Sequence, residues 1–359
     1  MASDAVVHLA DLGRPKDRLQ FALKMHVYLC ILLICVSLAS LTVGATGITP
    51  WDMAAALLRG EAPEQMASIV LFDIRLPRLF MGIVVGAALA VSGAVMQGLF
   101  RNPLADPGIV GVSAGAGLGA ILAIVLGGLL PVWLAEATGM YLVPFAAFVG
   151  GWGTTILLYA VSTRGGQTSV ATMLLAGIAL GALAGAVGGL LAYAADDRQL
   201  RELTLWGLGS LAGASWTKVT VTVPFILLAL GVAMTLGRGL NGLALGEATA
   251  AHIGIRVQRM KNTAILTVAA ATGAAVAATG GIGFIGIVVP HLLRLATGPD
   301  HRALLLNSAL LGASILLIAD MISRVIIAPA EMPIGIVTAF LGSPVFLWIL
   351  LRNRGAVGF

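Results

Sequence analysis

An all-α integral membrane protein with ten transmembrane helices is the fold that this sequence predicts, on three observations. Of its 359 residues 59% are hydrophobic and 10% charged, with a mean hydropathy of +1.00, whereas a soluble domain carries about 25% charged residues. The apolar residues come in unbroken runs rather than amphipathic stripes. Many of these runs reach the roughly 20 residues, rising ~1.5 Å each, that a helix needs to cross the hydrocarbon core.

The runs follow one another in order. Met25 to Ala45, Leu79 to Phe100, Ile109 to Val132, Tyr141 to Ser162 and Val170 to Ala192 make five spans in the first half. Val219 to Leu236, Thr263 to Thr279, Ile282 to Thr297, Leu304 to Ile327 and Ile334 to Leu351 make five more. Thr263 to Thr279 and Ile282 to Thr297 are short and are joined through "TGGIGFIG", so kinks or partial crossings are expected there. The implied organisation is a segment 1–24, a ten-helix domain 25–351 and a tail 352–359.

The first 24 residues are polar and carry Asp4, Asp11 and Asp17, with no apolar core or small-residue cleavage site. This places the N-terminus in the cytoplasm, and ten alternating spans return the C-terminus there. Fourteen Lys or Arg then fall on the cytoplasmic side and seven outside, which agrees with the positive-inside rule. The net charge of +5 is therefore an orientation signal. No basic patch is interleaved with aromatics, so no nucleic-acid partner is expected. Cys30 and Cys35, five apart in the first span, lie on different helix faces and have too few partners for a disulfide or metal site.

The chain is not expected to be an ATPase of the P-loop type. None of the four lysines, Lys16, Lys24, Lys218 and Lys261, follows a glycine, which excludes a phosphate-cradling GxxxxGK[ST] loop. A proton-coupled secondary transporter is the competing class, but it usually buries Asp, Glu or His mid-membrane. The nearest candidate, Asp320, lies toward the outer end of the ninth span.

Four stretches stand out from the apolar background. "DIRLPRLF" sets Arg75 and Arg78 three apart, facing one way on the outer side, where a snorkelling pair is the plain alternative. "MQGLFRNPLADPGIVGVSAGAG" breaks the second span from the third with two prolines. "LALGEATAAHIG", Leu243 to Gly254, is a half-polar helix of about two turns, too short to cross the membrane, with Gly254 as C-cap. "GGIGFIGIVVPHLLRLATGPDHRALL" brings His291, Arg294, Asp300, His301 and Arg302 to the inner face, with too few ligands for zinc. "GAALAVSG" at Gly86 to Gly93 also recurs as "GAAVAATG" at Gly273 to Gly280, in spans that run in opposite directions, as an inverted repeat requires.

These stretches, together with "LWGLGSLAG" and "LLIADMISRVIIAPAEMPIGIVTAFLGSPVFLW", closely resemble the FecCD-type permeases, the membrane subunits of type II ATP-binding-cassette importers for haem, iron-siderophores and cobalamin. The resemblance runs from about Arg75 to Leu351. It implies a non-catalytic, inverted-repeat importer permease in the bacterial inner membrane, working as a homodimer with two ABC ATPase subunits and a periplasmic substrate-binding protein. It also implies that ATP and Mg are bound by the ATPase and no cofactor by this chain. "FRNPLADPGIVGVSAGAG", "LGSLAGASW" and "ATGPDHRALL" are more similar to haem permeases than to siderophore or cobalamin ones.

The same resemblance assigns roles by position. Arg75, Arg78 and Arg324 are implied to dock glutamates of the binding protein, a task suited to bidentate arginine. Thr168, Ser169, Val170, Ala171, Thr172 and Met173 are implied to form the cytoplasmic gate before the fifth span, with N-capping by Thr168 or Ser169 as the compatible local reading. Residues 241–254 are implied to be the coupling helix that receives the ATPase. Leu245, Gly246, Glu247, Ala248, His252 and Gly254 are its candidate residues, and Leu243, Leu245 and Ile253 its apolar contacts.

Overall fold

The computed structural model describes residues 15–44, 47, 49–59, 64–165 and 167–352. Most of the segment 1–24 and all but the first residue of the tail 352–359 lie outside them. Among the described residues eight helices are long and apolar enough to cross a membrane, and two shorter apolar helices, Ile285–Thr297 and Ile334–Trp348, bring the apolar segments to ten.

The chain opens with α1 (Pro15–Thr42) and the short α2 (Pro50–Leu58). Next comes α3, helical throughout Gln65–Leu99 with a widened π turn over Ile69–Arg75. α4 (Val112–Leu126), the short α5 (Val132–Thr138) and α6 (Leu142–Ser162) lead to a two-stranded hairpin, β1 (Thr163–Arg164) and β2 (Gln167–Thr168). The hairpin is antiparallel, with Thr163 opposite Thr168. α7 (Val170–Ala194) and the amphipathic α8 (Asp197–Gly207) follow; Asp196 closes a capping box with Gln199 at the start of α8.

The second half contains α9 (Trp216–Thr235), α10 (Gly237–Ala244), α11 (Glu247–His252), α12 (Val257–Thr279), α13 (Ile285–Thr297), α14 (His301–Val325) and α15 (Ile334–Arg352). The expectation of a short seventh span is corrected here. α12 begins at Val257 and takes Arg259 and Lys261 into its first turns, so it is 23 residues long. Charged residues had hidden that end from a reading based on apolar runs. α13 is a true short helix. Its 13 residues rise only ~20 Å against a hydrocarbon core of ~30 Å.

The core is built around α3, whose apolar window is 89% buried, with α14, α13, α12 and α9 packed against it. Its sequence is Gly- and Ala-rich because the neighbouring backbones come very close, as is usual where membrane helices associate through small residues. A Cβ on Gly93 would sit 1.8 Å from the carbonyl oxygen of Gly286 in α13, and one on Gly86 would sit 2.5 Å from that of Gly312 in α14. The two "GAA" copies thus fall in α3 and α12, which run in opposite directions through the bundle.

The kink expected at "TGGIGFIG" is a junction of three sequence motifs. Ser210 N–H donates to Thr279 O (2.7 Å), Gly335 N–H to Leu208 O (2.9 Å) and Ile334 N–H to Gly209 O (3.1 Å). The "LWGLGSLAG" loop thereby satisfies the backbone where α12 ends and α15 begins. Such irregular backbone is tolerated at membrane depth only when it is paired within the protein in this way. α7 lies at the rim, on α4 and α6, with Leu175, Ile178, Leu183 and Leu190 exposed.

Candidate functional site

Two polar clusters occupy opposite ends of the bundle. At one end the C-termini of α1 and α14 meet the N-terminal part of α3. Arg78 donates from Nε to Asp320 Oδ1 (2.9 Å) and Oδ2 (3.2 Å), and its terminal nitrogens reach Asp320 Oδ1 (2.8 Å) and Glu331 Oε1 (2.8 Å). Arg324, one turn beyond Asp320 on α14, reaches Asp320 Oδ2 (2.9 Å). It also donates to Val43 O (3.0 Å), Ser40 O (3.2 Å) and Ser40 Oγ (2.8 Å) at the end of α1. Arg75 donates to Leu41 O.

All three arginines are buried, and Asp320 has no exposure at all. Neither a snorkelling pair nor free prongs describes them. The sequence reading named these three arginines, which the structure brings to one end of the bundle, but gave no role to Asp320, Glu331 or Ser40. The signal for Asp320 was present, since an aspartate in an apolar span requires a partner and Arg324 stands four residues on, within reach on the same helix face.

At the other end lie the hairpin, the start of α7 and the half-polar helix. That helix is α11, six residues long, entered at Gly246 (φ +103°) and left at Gly254 (φ +86°). Ile255 N–H reaches Ala250 O and Gly254 N–H reaches Ala251 O, both at 3.0 Å. This pair of bonds is the Schellman arrangement that a glycine in the left-handed region permits. Leu245, Ala248, His252 and Ile253 are exposed, while Ala250 faces inward. Leu243 belongs to α10 and is buried, so the apolar contacts that α11 offers outward are Leu245 and Ile253 only.

The gate segment is more ordered than a turn. Ser169 caps α7 by accepting from Thr172 N–H (3.3 Å), as the local reading expected. Thr168 and Met173 are buried, whereas Ser169, Ala171 and Thr172 are exposed. Gln258 of α12 accepts from Thr168 N–H (3.0 Å) and donates to its hydroxyl (2.6 Å). Lys261 donates to Thr168 O (3.1 Å) and to Glu247 Oε1 (2.7 Å). The candidate gate and coupling segments, far apart in sequence, are therefore joined through Lys261 of α12, while Gln258 of the same helix holds the gate side alone; the sequence reading had assigned neither residue to a site.

The same end is braced by Asp300. It caps α14 by accepting from Arg302 N–H (3.0 Å), accepts from Asn241 Nδ2 of α10 (2.7 Å) and pairs with Arg302 (2.7 Å). Hydrogen bonds from Arg302 first, then from Asn241, hold its carboxyl well below the usual carboxylate range. The stability it adds is present above the unfolded carboxylate pKa of about 4 and is lost as the pH falls further. Asp300→Ala is expected to cost about 1 kcal/mol as a lost cap. The melting temperatures of wild type and variant in detergent should then converge below about pH 4. Asp106, in the α3–α4 connection, is shifted the other way: burial raises its carboxyl, although Gly108 N–H donates to it (2.7 Å).

Residues 31–352 match the model of the FecCD transport family. The chain belongs to that family. This FecCD permease is 44% identical over 345 residues to the hemin transport system permease protein HmuU of Yersinia pestis, covering 95% of this chain and 98% of the relative. It is 42% identical over 327 residues to the vitamin B12 import system permease protein BtuC of Citrobacter koseri, covering 91% and 93%. It superimposes with a TM-score of 0.80 on a solved metal-chelate type ABC transporter in an inward-facing conformation, at 31% identity over 92% of this chain and 99% of that one. The FecCD permease is thus the membrane-spanning subunit of a type II ABC importer, a transport permease and a multi-span helical membrane protein.

Proposed function

We propose that this FecCD permease carries haem across the bacterial inner membrane toward the cytoplasm, as a homodimer served by two ABC ATPase subunits and a periplasmic binding protein. The observation that carries the substrate is the 44% identity, over nearly the whole of both chains, to a hemin permease. Cobalamin is the second reading, supported by 42% identity to a vitamin B12 permease. Proton-coupled transport is disfavoured because Asp320, the buried acid of the spans, is committed to ion pairs with two guanidinium groups.

In this reading the arginine end faces the periplasm and α11 the cytoplasm, which the fourteen-to-seven split of basic residues supports. Docking then works by exchange. Glu331, the one half-exposed acid of the cluster, occupies a terminal nitrogen of Arg78, and a carboxylate of the binding protein would take its place. The exposed Leu245, Ala248, His252 and Ile253 give α11 a face to set into a groove of the ATPase. ATP-driven closure of the ATPases would alternate the access of the pathway beside Thr168 to Met173.

Reconstitution of the complete importer in liposomes tests both parts. Haem-loaded binding protein is expected to stimulate ATP hydrolysis at least several-fold over cobalamin-loaded or siderophore-loaded protein; equal stimulation would refute the preference for haem, and stronger stimulation by cobalamin would transfer the assignment to it. In the same vesicles Glu331→Gln should lower the binding-protein concentration needed for half-stimulation about threefold, worth about 0.7 kcal/mol. An unchanged or raised requirement would remove Arg78 from the docking site.

A further inference from the structure

The connection through Lys261 is longer in reach than either site it joins. Its side chain is only 4% exposed, a costly placement for an ammonium unless charge and hydrogen-bonding capacity are both met. Its two acceptors come from two different functional segments: the carboxylate that opens α11 and the carbonyl of Thr168 on β2. Gln258, one turn earlier on the same face of α12, grips the N–H and hydroxyl of Thr168 and is itself anchored by donating to Asn262 Oδ1 (2.7 Å). Thr168 in turn meets Thr163 across the hairpin, Oγ1 to Oγ1 at 2.9 Å, and Ser169 beside it caps α7.

A continuous run of contacts no longer than 3.3 Å therefore leads from Glu247 through Lys261 to Thr168, and on to the first turn of α7. The contact at Glu247 is charge-assisted, the shorter and stronger kind of hydrogen bond, so it resists stretching.

We propose that Lys261 and Gln258 are positioning residues for transport: they form a side-chain strut that moves the gate hairpin and the start of α7 when the ATPase displaces α11. The proposal rests on the coupling and gate roles proposed above. Lys261 enters because its side chain touches both segments, and Gln258 because it fixes the same threonine on its other side.

The test uses the complete importer in liposomes, with ATP hydrolysis and haem uptake measured on the same vesicles. Lys261→Met keeps an unbranched apolar stem and removes the ammonium. It is expected to leave hydrolysis within about threefold of wild type while uptake per ATP falls at least tenfold. Lys261→Met combined with Glu247→Gln should be no worse than the single change, because both delete one shared interaction. Spin labels at the exposed positions Gln167 and Thr249 give a readout that a merely structural role would not move. In wild type ATP binding should shift both; in Lys261→Met the label on α11 should still shift and the one on the hairpin should not.

Uptake per ATP within twofold of wild type, or an unaltered shift at Gln167, would overturn the strut. Should Lys261→Met fail to assemble, Gln258→Leu, which leaves the Lys261–Glu247 pair in place, decides by the same ratio. The underlying coupling reading is separable. Leu245→Glu with Ala248→Glu alters only the exposed face of α11, and normal ATPase assembly and transport in that variant would sink the coupling helix itself. Uncoupling there with normal coupling in Lys261→Met would sink the strut alone.

Discussion

Asp320→Ala is expected to be among the most damaging single substitutions in this protein, lowering stability by about 3–5 kcal/mol. The carboxylate has no solvent exposure and is shared by Arg78 and Arg324, which are buried themselves. Removing it leaves two guanidinium groups facing each other with one partly exposed acid, Glu331, to divide between them. The cost arises from stranding two desolvated charges, which far exceeds what an exposed pair contributes. Glu331→Gln, by contrast, removes an acid whose side chain is 39% exposed and should cost under about 1 kcal/mol. Thermal unfolding of the detergent-solubilised variants, with the amount reaching the membrane, checks both values. Equal losses for the two would mean that the cluster is not organised around Asp320.

Gly93→Ala is the second. One added methyl would come within 1.8 Å of the Gly286 carbonyl oxygen, less than any non-bonded contact allows, so α3 and α13 would have to separate. Overpacking usually costs 1–3 kcal/mol. Here the obstacle is backbone rather than a flexible side chain, and a loss of about 3 kcal/mol is expected. Gly231→Ala supplies the contrast, because a Cβ at that helical position meets nothing within 4 Å. The usual preference of helices for alanine should make it neutral or stabilising by up to about 1 kcal/mol. A comparable drop in melting temperature for both would refute the close-approach account.

The positions of these residues explain what a sequence reading can and cannot reach. Ten apolar segments were legible because the bilayer imposes length and composition on each segment separately. The junction at "TGGIGFIG" was legible as a break, since glycines cluster there, but its partner, the "LWGLGSLAG" loop, is supplied by backbone groups that carry no residue signature. α12 was read too short because Arg259 and Lys261 resemble loop residues until the elements that receive them are known. The same blindness hid the strut: Lys261 is recognisable only when Glu247 and Thr168 are brought to it. Arg75, Arg78 and the half-polar helix stood out by composition and the family resemblance added Arg324, while the acids that neutralise the arginines had no apparent role.

The burial of α3 has a consequence for how the protein is made. Its counter-ion Asp320 lies 242 residues downstream of Arg78. At about 5–20 residues per second that segment emerges roughly 12–50 s later. For this interval the future centre of the molecule has neither its charge partner nor the helix that fits its glycine face, and it must wait against lipid or the insertion machinery. The second span to be synthesised is therefore one of the last to be enclosed, and a chain that stops before α14 leaves it in that state.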